Sequence, residues 1–284
     1  MKILVIGDFH GKFPSKLKKI AKGKDINLIV SVGDYLPFHY RKLWFKYCYG
    51  KDIGLDEVIG KKKYNQLIKE DLRRGEKVLK ELNELSVPVF TVFGNMDYPH
   101  PDDSDDETTI PKKFWKEGEL RKDDFVKIMK RYKNINRFDY SYFKFGEFVF
   151  IGARGHSAPG RVKSKGYRKY KKKLDNLFKR FRKENNEGKI IFVSHILPQG
   201  ILDKIHSKAD KRIRGRHFGS KMFRRILKKY QPVLAIGGHF HENPGKDKLG
   251  KTIVLNPGAA VDGKAAVVEI DDGKGKVKNI KFIK

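Results

Sequence analysis

Runs of β-branched and aromatic residues recur along the chain at 2–6 (KILVI), 26–32, 87–93, 148–153, 189–194, 233–238, 252–256, 265–271 and 277–283. Each is short, bounded by turn residues, and predicts a strand; the first reads as an inner one. Between them, 14–21, 61–85, 167–184 and 219–230 space their apolar positions as helices do. Ser220 is placed to cap the last of these ahead of Met222 and Phe223, and Pro232 to stop it. Strands alternating with helices predict α/β packing, and the closely spaced strands near the end predict hairpins. Two stretches break the rhythm. One, 37–60, is rich in aromatic and basic residues. The other, 99–145, opens on the acidic segment PHPDDSDDETTIPKK at 99–113, a solvated loop or a lid that turns away the wrong polyanions. Both are expected to be insertions in one domain spanning 1–284, since neither a repeat nor a linker is visible.

Composition narrows the setting. With 284 residues and 39% hydrophobic positions, the chain can fill a substantial core. Lys and Arg total 64 against 34 Asp and Glu, a formal charge of +30. Two readings of that excess stand side by side. It is an electrostatic footprint for acidic partners such as nucleic acid or anionic lipid headgroups, or it is the Lys-rich, Cys-poor surface of a thermophile. The single Cys48 excludes an internal disulfide and suits a reducing compartment. No apolar leader precedes the polar residues that begin at position 8, and runs such as 190–193 and 233–236 are far too short to span a bilayer. A cytoplasmic protein without membrane insertion is expected; its oligomeric state cannot be read from the sequence.

Chemistry-bearing residues collect at strand ends. The first strand runs into GDFHG with Asp8 and His10, the second into GDY with Asp34, the third into GNMD with Asn95 and Asp97. KIIFVSH delivers His195, and VLAIGGHFH delivers His239 and His241. In open α/β sheets, ligands bind beyond the carboxyl ends of strands, so these residues converge on one rim if the strands are neighbours. Carboxylates, imidazoles and one amide oxygen form a mixed oxygen and nitrogen donor set without thiolate. That set suits Mn, Fe, Zn or Ni and argues against a structural thiolate zinc site. Leaving Asp97 aside, seven donors are too many for one ion that must also admit a substrate. Two divalent ions sharing a bridging carboxylate fit the count better.

The ordered series resembles the calcineurin-like metallophosphoesterases, whose motifs D-x-H, G-D, G-N-x-D/E, a lone H and G-H-x-H occur here in sequence. They are Asp8-Phe9-His10, Gly33-Asp34, Gly94-Asn95-Met96-Asp97, His195 and Gly238-His239-Phe240-His241. The resemblance runs from residue 1 to about 270; NPGAA at 256–260, HILPQGILD and GRHFGS look like its compact prokaryotic and archaeal branch. It implies a four-layer α/β sandwich, two mixed β-sheets face to face with helices outside. It implies that Asp8, His10 and His241 hold one metal and Asn95, His195 and His239 the other, with Asp34 between them. Manganese is the first expectation for the ions. The implied activity is that of a metal-dependent phosphoric ester hydrolase, with Asp34, Asn95 and His195 at the catalytic centre. A phosphodiesterase using attack by metal-bound hydroxide is expected before a small monoesterase. A nuclease and a non-catalytic binding scaffold are the alternatives, and a complete ligand set argues against the scaffold.

One position departs from the family pattern. Many members carry His third in the G-N-x-D/E motif; here Met96 can neither donate a proton nor carry charge. Protonation of a poor leaving group then falls to a group other than the third motif residue. Asp97 is expected to orient its loop rather than bind metal. Arg154 and His156, in ARGHSAPGR at 153–161, line a substrate pocket or belong to an ordinary loop. Arg214 and Arg216 contact phosphate or sit on a solvated basic loop. His39, His100, His206 and His217 are expected on the surface or in loops. The tract KSKGYRKYKKK at 163–173 mixes Tyr with Lys, as single-strand nucleic-acid surfaces do, and as lysines lying over Tyr rings on a helix also do.

Overall fold

The computed structural model describes residues 1–23, 25–49, 51, 53–97, 124–155, 162–184, 189–206 and 214–284. Two six-stranded sheets face each other. One holds β1 (Lys2–Ile6), β2 (Leu28–Ser31), β3 (Val89–Thr91), β4 (Ile135–Arg137), β11 (Ala265–Asp271) and β12 (Lys276–Ile283), in the order β12-β11-β1-β2-β3-β4. The other holds β5 (Tyr142–Phe145), β6 (Phe148–Ala153), β7 (Ile190–Ile196), β8 (Leu234–Gly238), β9 (Gly245–Leu249) and β10 (Thr252–Asn256), in the order β5-β6-β7-β8-β10-β9. Both are mixed. β1, β2, β3 and β4 run parallel, as do β6, β7, β8 and β10, with antiparallel strands completing each sheet.

The period-two geometry of a strand explains why the inner strands are apolar throughout. In β1, Ile3 and Val5 point between the sheets, where they pack in one cluster with Val30, Phe150, Val193 and Ile236. Leu4 and Ile6 point the other way, into a cluster with Ile68, Leu72, Val78 and Leu82 of α4 (Lys61–Asn83) and Leu17 of α1 (Ser15–Ala21). The second sheet is covered likewise. Tyr167, Leu174, Phe178 and Phe181 of α5 (Lys165–Glu184) and Met222, Phe223, Ile226 and Leu227 of α6 (Lys221–Tyr230) pack on its outer face. Each such large side chain removed from water contributes about 1.5–3 kcal/mol. The four layers expected from the resemblance are present. Ser220 caps α6, its hydroxyl oxygen accepting from the Phe223 N–H at 3.2 Å, and Gln231 ends the helix in a left-handed conformation just before Pro232.

Among the described residues, strands β4, β5 and β9 and the helices within the two interrupting stretches were not apparent in the sequence pattern. Residues 135–145 hold the edge strands β4 and β5, so this part of the second stretch belongs to the sheets; 98–123 lie outside the described residues. β9, GKDKL, is exposed along its middle. Within 37–60 lie α2 (Arg41–Tyr47) and α3 (Leu55–Ile59), whose Leu43, Trp44, Tyr47 and Ile59 pack against the helix-side core of the first sheet. Among the described residues, no helix is long and apolar enough to cross a membrane.

Candidate metal centre

The rim is built by parallel strands that end together. Beyond β1 and β2 the ladder continues into the loops: the N–H groups of Asp8, His10 and Gly11 donate to the carbonyls of Gly33, Asp34 and Tyr35 at 2.8, 3.0 and 2.8 Å. This pairing holds Asp8, His10 and Asp34 at φ values of 54°, 44° and 55°, and His239 stands at 70°. Such left-handed residues cost about 1–3 kcal/mol each and persist where the surroundings over-determine them. Two glycines permit the close approach. A Cβ on Gly94 would lie 2.0 Å from Asp34 Oδ1, and one on Gly238 would lie 2.4 Å from Asp8 Oδ2.

Two groups of donors face each other across Asp34. Asp8, His10 and His241 offer ligand atoms to one point, and Asp34, His195 and His239 to another. In the first, His241 Nε2 lies 3.3 Å from Asp8 Oδ1 and 3.3 Å from His10 Nε2. In the second, His195 Nε2 lies 2.8 Å from Asn95 Oδ1, 3.2 Å from His239 Nδ1 and 3.5 Å from Asp34 Oδ2. The same Asp34 oxygen is 3.9 Å from His10 Nε2. It is therefore the atom that faces both groups, while the other oxygen accepts from the Met96 N–H at 2.8 Å.

The donor chemistry fits divalent cations. His195 Nδ1 lies 2.8 Å from the Val32 carbonyl oxygen, which only accepts, so Nδ1 carries the ring hydrogen. When that ring is neutral, its Nε2 presents a lone pair to the oxygen of Asn95, a second acceptor. His239 Nδ1 approaches the same oxygen at 2.9 Å. His195 Nε2 and Asn95 Oδ1, two acceptors facing each other, repel unless a cation or a proton lies between them, while His239 Nδ1 donates to that oxygen or accepts beside it according to its tautomer. Burial pushes the Asp8 carboxyl up, but the contact with His241 and the nearby charges of His195, His241 and His10 outweigh it and hold Asp8 well below the usual carboxylate range. His241 is raised: burial lowers it, and its contact with Asp8 together with the charges of Asp8, Asp34 and Asp262 more than compensates.

Asp97 holds the rim without facing either donor group. Fully buried, it accepts from the N–H groups of Asp34 at 2.7 Å, Tyr35 at 2.8 Å, Gly94 at 3.1 Å and Leu36 at 3.2 Å. One carboxylate thus ties the second motif loop to the third.

Arg154 follows β6 and donates to the Tyr170 hydroxyl at 3.0 Å, with its guanidinium over the rings of Tyr140 and Tyr170. His156 and His100 lie outside the described residues. In the tract at 163–173, Tyr167 is buried, and Lys169 and Lys173 lie over the half-buried ring of Tyr170. Arg214 and Arg216 are exposed.

Three buried polar side chains went unassigned in the sequence, one of which supports the rim. Asn256, buried at the end of β10, donates to the carbonyls of Phe240 and Asn243 at 2.8 and 2.9 Å and so pins the loop that carries His239 and His241. Its signal was the one already used, a polar residue at the end of an apolar strand. Asp203, fully buried, accepts from the N–H groups of Gly200 and Gly219 and meets His217 Nδ1 at 2.5 Å. Asp71, fully buried on α4, meets His39 Nδ1. Nothing local in the sequence marks either of these aspartates as buried.

Two mixed sheets flanked by helices, with two groups of carboxylate and imidazole donors at one rim, fit a metal-dependent phosphoesterase with a dinuclear divalent site. The chain belongs to the calcineurin-like phosphoesterase family, whose model matches residues 1–243. It is 28% identical over 281 residues to the uncharacterized protein MJ1162 of Methanocaldococcus jannaschii, covering 97% of this chain and 98% of that one. Its fold is similar to that of a dimetal phosphatase from Danio rerio, at a TM-score of 0.54 and 12% identity, over 100% of this chain and 96% of that one. It is also similar to that of TT1561 of Thermus thermophilus, at a TM-score of 0.51 and 14% identity, over 100% and 99%.

Proposed function

We propose that the protein hydrolyses phosphodiesters, with Asp8, His10 and His241 holding one divalent ion, Asn95, His195 and His239 the other, and Asp34 between them. The observation that carries the hydrolytic reading is the convergence of acceptors on two points about the shared Asp34 oxygen. When bound, a pair of divalent cations neutralises charge on phosphoryl oxygens and lowers the pKa of water. The chain's own residues do the positioning. The Val32 carbonyl fixes the His195 tautomer, the Met96 N–H leaves one Asp34 oxygen facing inward, and Asp97 holds the two motif loops at a set separation. Manganese is the ion we favour, because imidazole-rich donor sets prefer it to magnesium.

Met96 supports the diester over the monoester. Its side chain packs against the helix-side core and brings neither charge nor proton to the third motif position. A singly charged diester needs less compensation from the protein than a doubly charged monoester. The test is turnover of a bis-aryl phosphodiester against the matching aryl monoester by Mn²⁺-loaded protein. The diester is expected to react faster; a preference for the monoester overturns this part of the reading, and no turnover of either overturns the whole.

A further inference from the structure

The stretch 38–49 forms an exposed aromatic and basic face beside the rim that the metal centre does not use. It leaves the centre directly: Phe38 comes four residues after Asp34, and Pro37 with Arg74 crowds Gly11, next to His10. Leu43, Trp44 and Tyr47 turn inward against the core, whereas Phe45 and Tyr49 are 43% and 48% exposed, the most exposed aromatic rings among the described residues. These two rings lie 4.9 Å apart at 32°, and Trp44 supports both, at 5.2 and 5.8 Å. The Arg41 guanidinium sits 5.1 Å from the Phe45 ring centre, and Lys46 sits 5.0 Å from that of Tyr47. From 38 to 49 the chain carries Arg41, Lys42 and Lys46 and no acidic residue.

We propose that this face is a stacking platform for the unpaired bases of single-stranded nucleic acid; its use in hydrolysis rests on the phosphodiester reading above. Aromatic rings with cations beside them are the two elements such surfaces combine: rings take any base face, and the cations track the phosphates. The outward side of α2 and the turn after it offer two rings among three cations. That is enough area for one or two bases and too little apolar surface to hold a membrane, which needs a continuous apolar face. The net charge of +30 matches a polyanion long enough to continue beyond the platform.

The test uses the full chain in EDTA, so that binding is read without turnover. In a W115F background, Trp44 is the sole tryptophan and its emission reports on the platform. A twelve-residue oligothymidylate is expected to quench it, and the double variant F45A/Y49A is expected to bind that oligonucleotide at least roughly tenfold more weakly. The ring-preserving F45Y/Y49F should restore affinity, separating stacking from loss of fold. Three results overturn the platform. The first is equal affinity of wild type and F45A/Y49A. The second is quenching by phosphatidylserine vesicles but not by the oligonucleotide, which would make this a membrane face. The third is a dimer in sedimentation that F45A/Y49A dissociates with oligonucleotide affinity unchanged, which would make it a self-interface. Wild-type turnover of the small bis-aryl diester is measured separately. Quenching without any turnover upholds the platform and overturns only the hydrolytic reading.

Discussion

Asp8, His10, Asp34 and His239 hold left-handed backbone conformations that L-residues avoid, and Asp and His tolerate them better than most. The strain persists because each loop is tied from outside, by the β1–β2 ladder for three of them and by the His239 N–H donating to Asp8 Oδ2 at 3.1 Å for the fourth. Gly94 is where this arrangement has least slack. Gly94→Ala places a carbon on Asp34 Oδ1, so divalent-cation affinity measured by calorimetry is expected to fall at least tenfold while circular dichroism stays native; unchanged affinity would refute it. Met96 is a second sensitive position. General acid assistance is typically worth roughly 10²–10⁴-fold, and its absence bears hardest on leaving groups of high pKa. Met96→His is expected to raise turnover of an alkyl diester and to leave an aryl diester nearly unchanged, whereas equal effects on both would dismiss the missing-acid account. The candidate ligands were legible because each polar residue interrupts an apolar strand at its end. Asn256 obeys the same rule and was passed over, since an amide followed by Pro257 and Gly258 reads as a turn.

Elements were legible in proportion to their burial. β1, β6 and β7 are covered on both faces and so appear as unbroken apolar runs. β4, Ile-Asn-Arg, pairs only with β3 and is exposed at two of its three residues, and β9 alternates charge along an edge; neither has to be apolar to form. α2 has no fully buried residue and is held by partial burial of its inner side, a weak periodic signal over seven residues. Between elements, polar ties matter where α5 meets α6. Asp175 is reached by Lys171 at 2.5 Å, by the Tyr230 hydroxyl at 2.7 Å and by Lys229 at 3.4 Å. Burial raises its pKa, the Lys171 and Tyr230 hydrogen bonds and the lysine charges lower it more, and the net direction is down from 3.8. A depressed folded pKa contributes stability that is complete above 3.8 and is lost as pH falls through the folded value. Asp175→Asn is therefore expected to melt roughly one or two degrees lower than wild type at neutral pH. That gap should close only in acid, below the ordinary aspartate range. A gap that widens on acidification would show that the carboxylate opposes folding.

At the scale of the whole molecule, the alternation of strands and helices specified α/β packing but not two sheets. The sheet to which a strand belongs depends on partners far away in sequence, as when β11 returns to pair with β1. The layering came from the resemblance, whose motifs carry that long-range information. The metal centre has a global consequence too. With its hydrogen on Nδ1, the neutral form of His195 turns a lone pair on Asn95 Oδ1 in a geometry held by the fold, so without a cation that repulsion is a cost to the native state alone. Ions that bind this state and not the unfolded chain stabilise it by about 2.7 kcal/mol at one hundred times the dissociation constant. For a chain of this size that amounts to several degrees in Tm. Protein treated with EDTA is expected to melt lower than protein in Mn²⁺, with Mg²⁺ falling between, because carboxylate, amide and imidazole donors together favour the softer ion. Asp34→Asn, which weakens a carboxylate 3.5 Å from His195 and 3.9 Å from His10, should shrink the Mn²⁺ shift more than a change at Asp8. Identical melting curves in EDTA, Mn²⁺ and Mg²⁺ would mean that the converging acceptors hold no ion, and the phosphoesterase chemistry assigned to them would fall with that result.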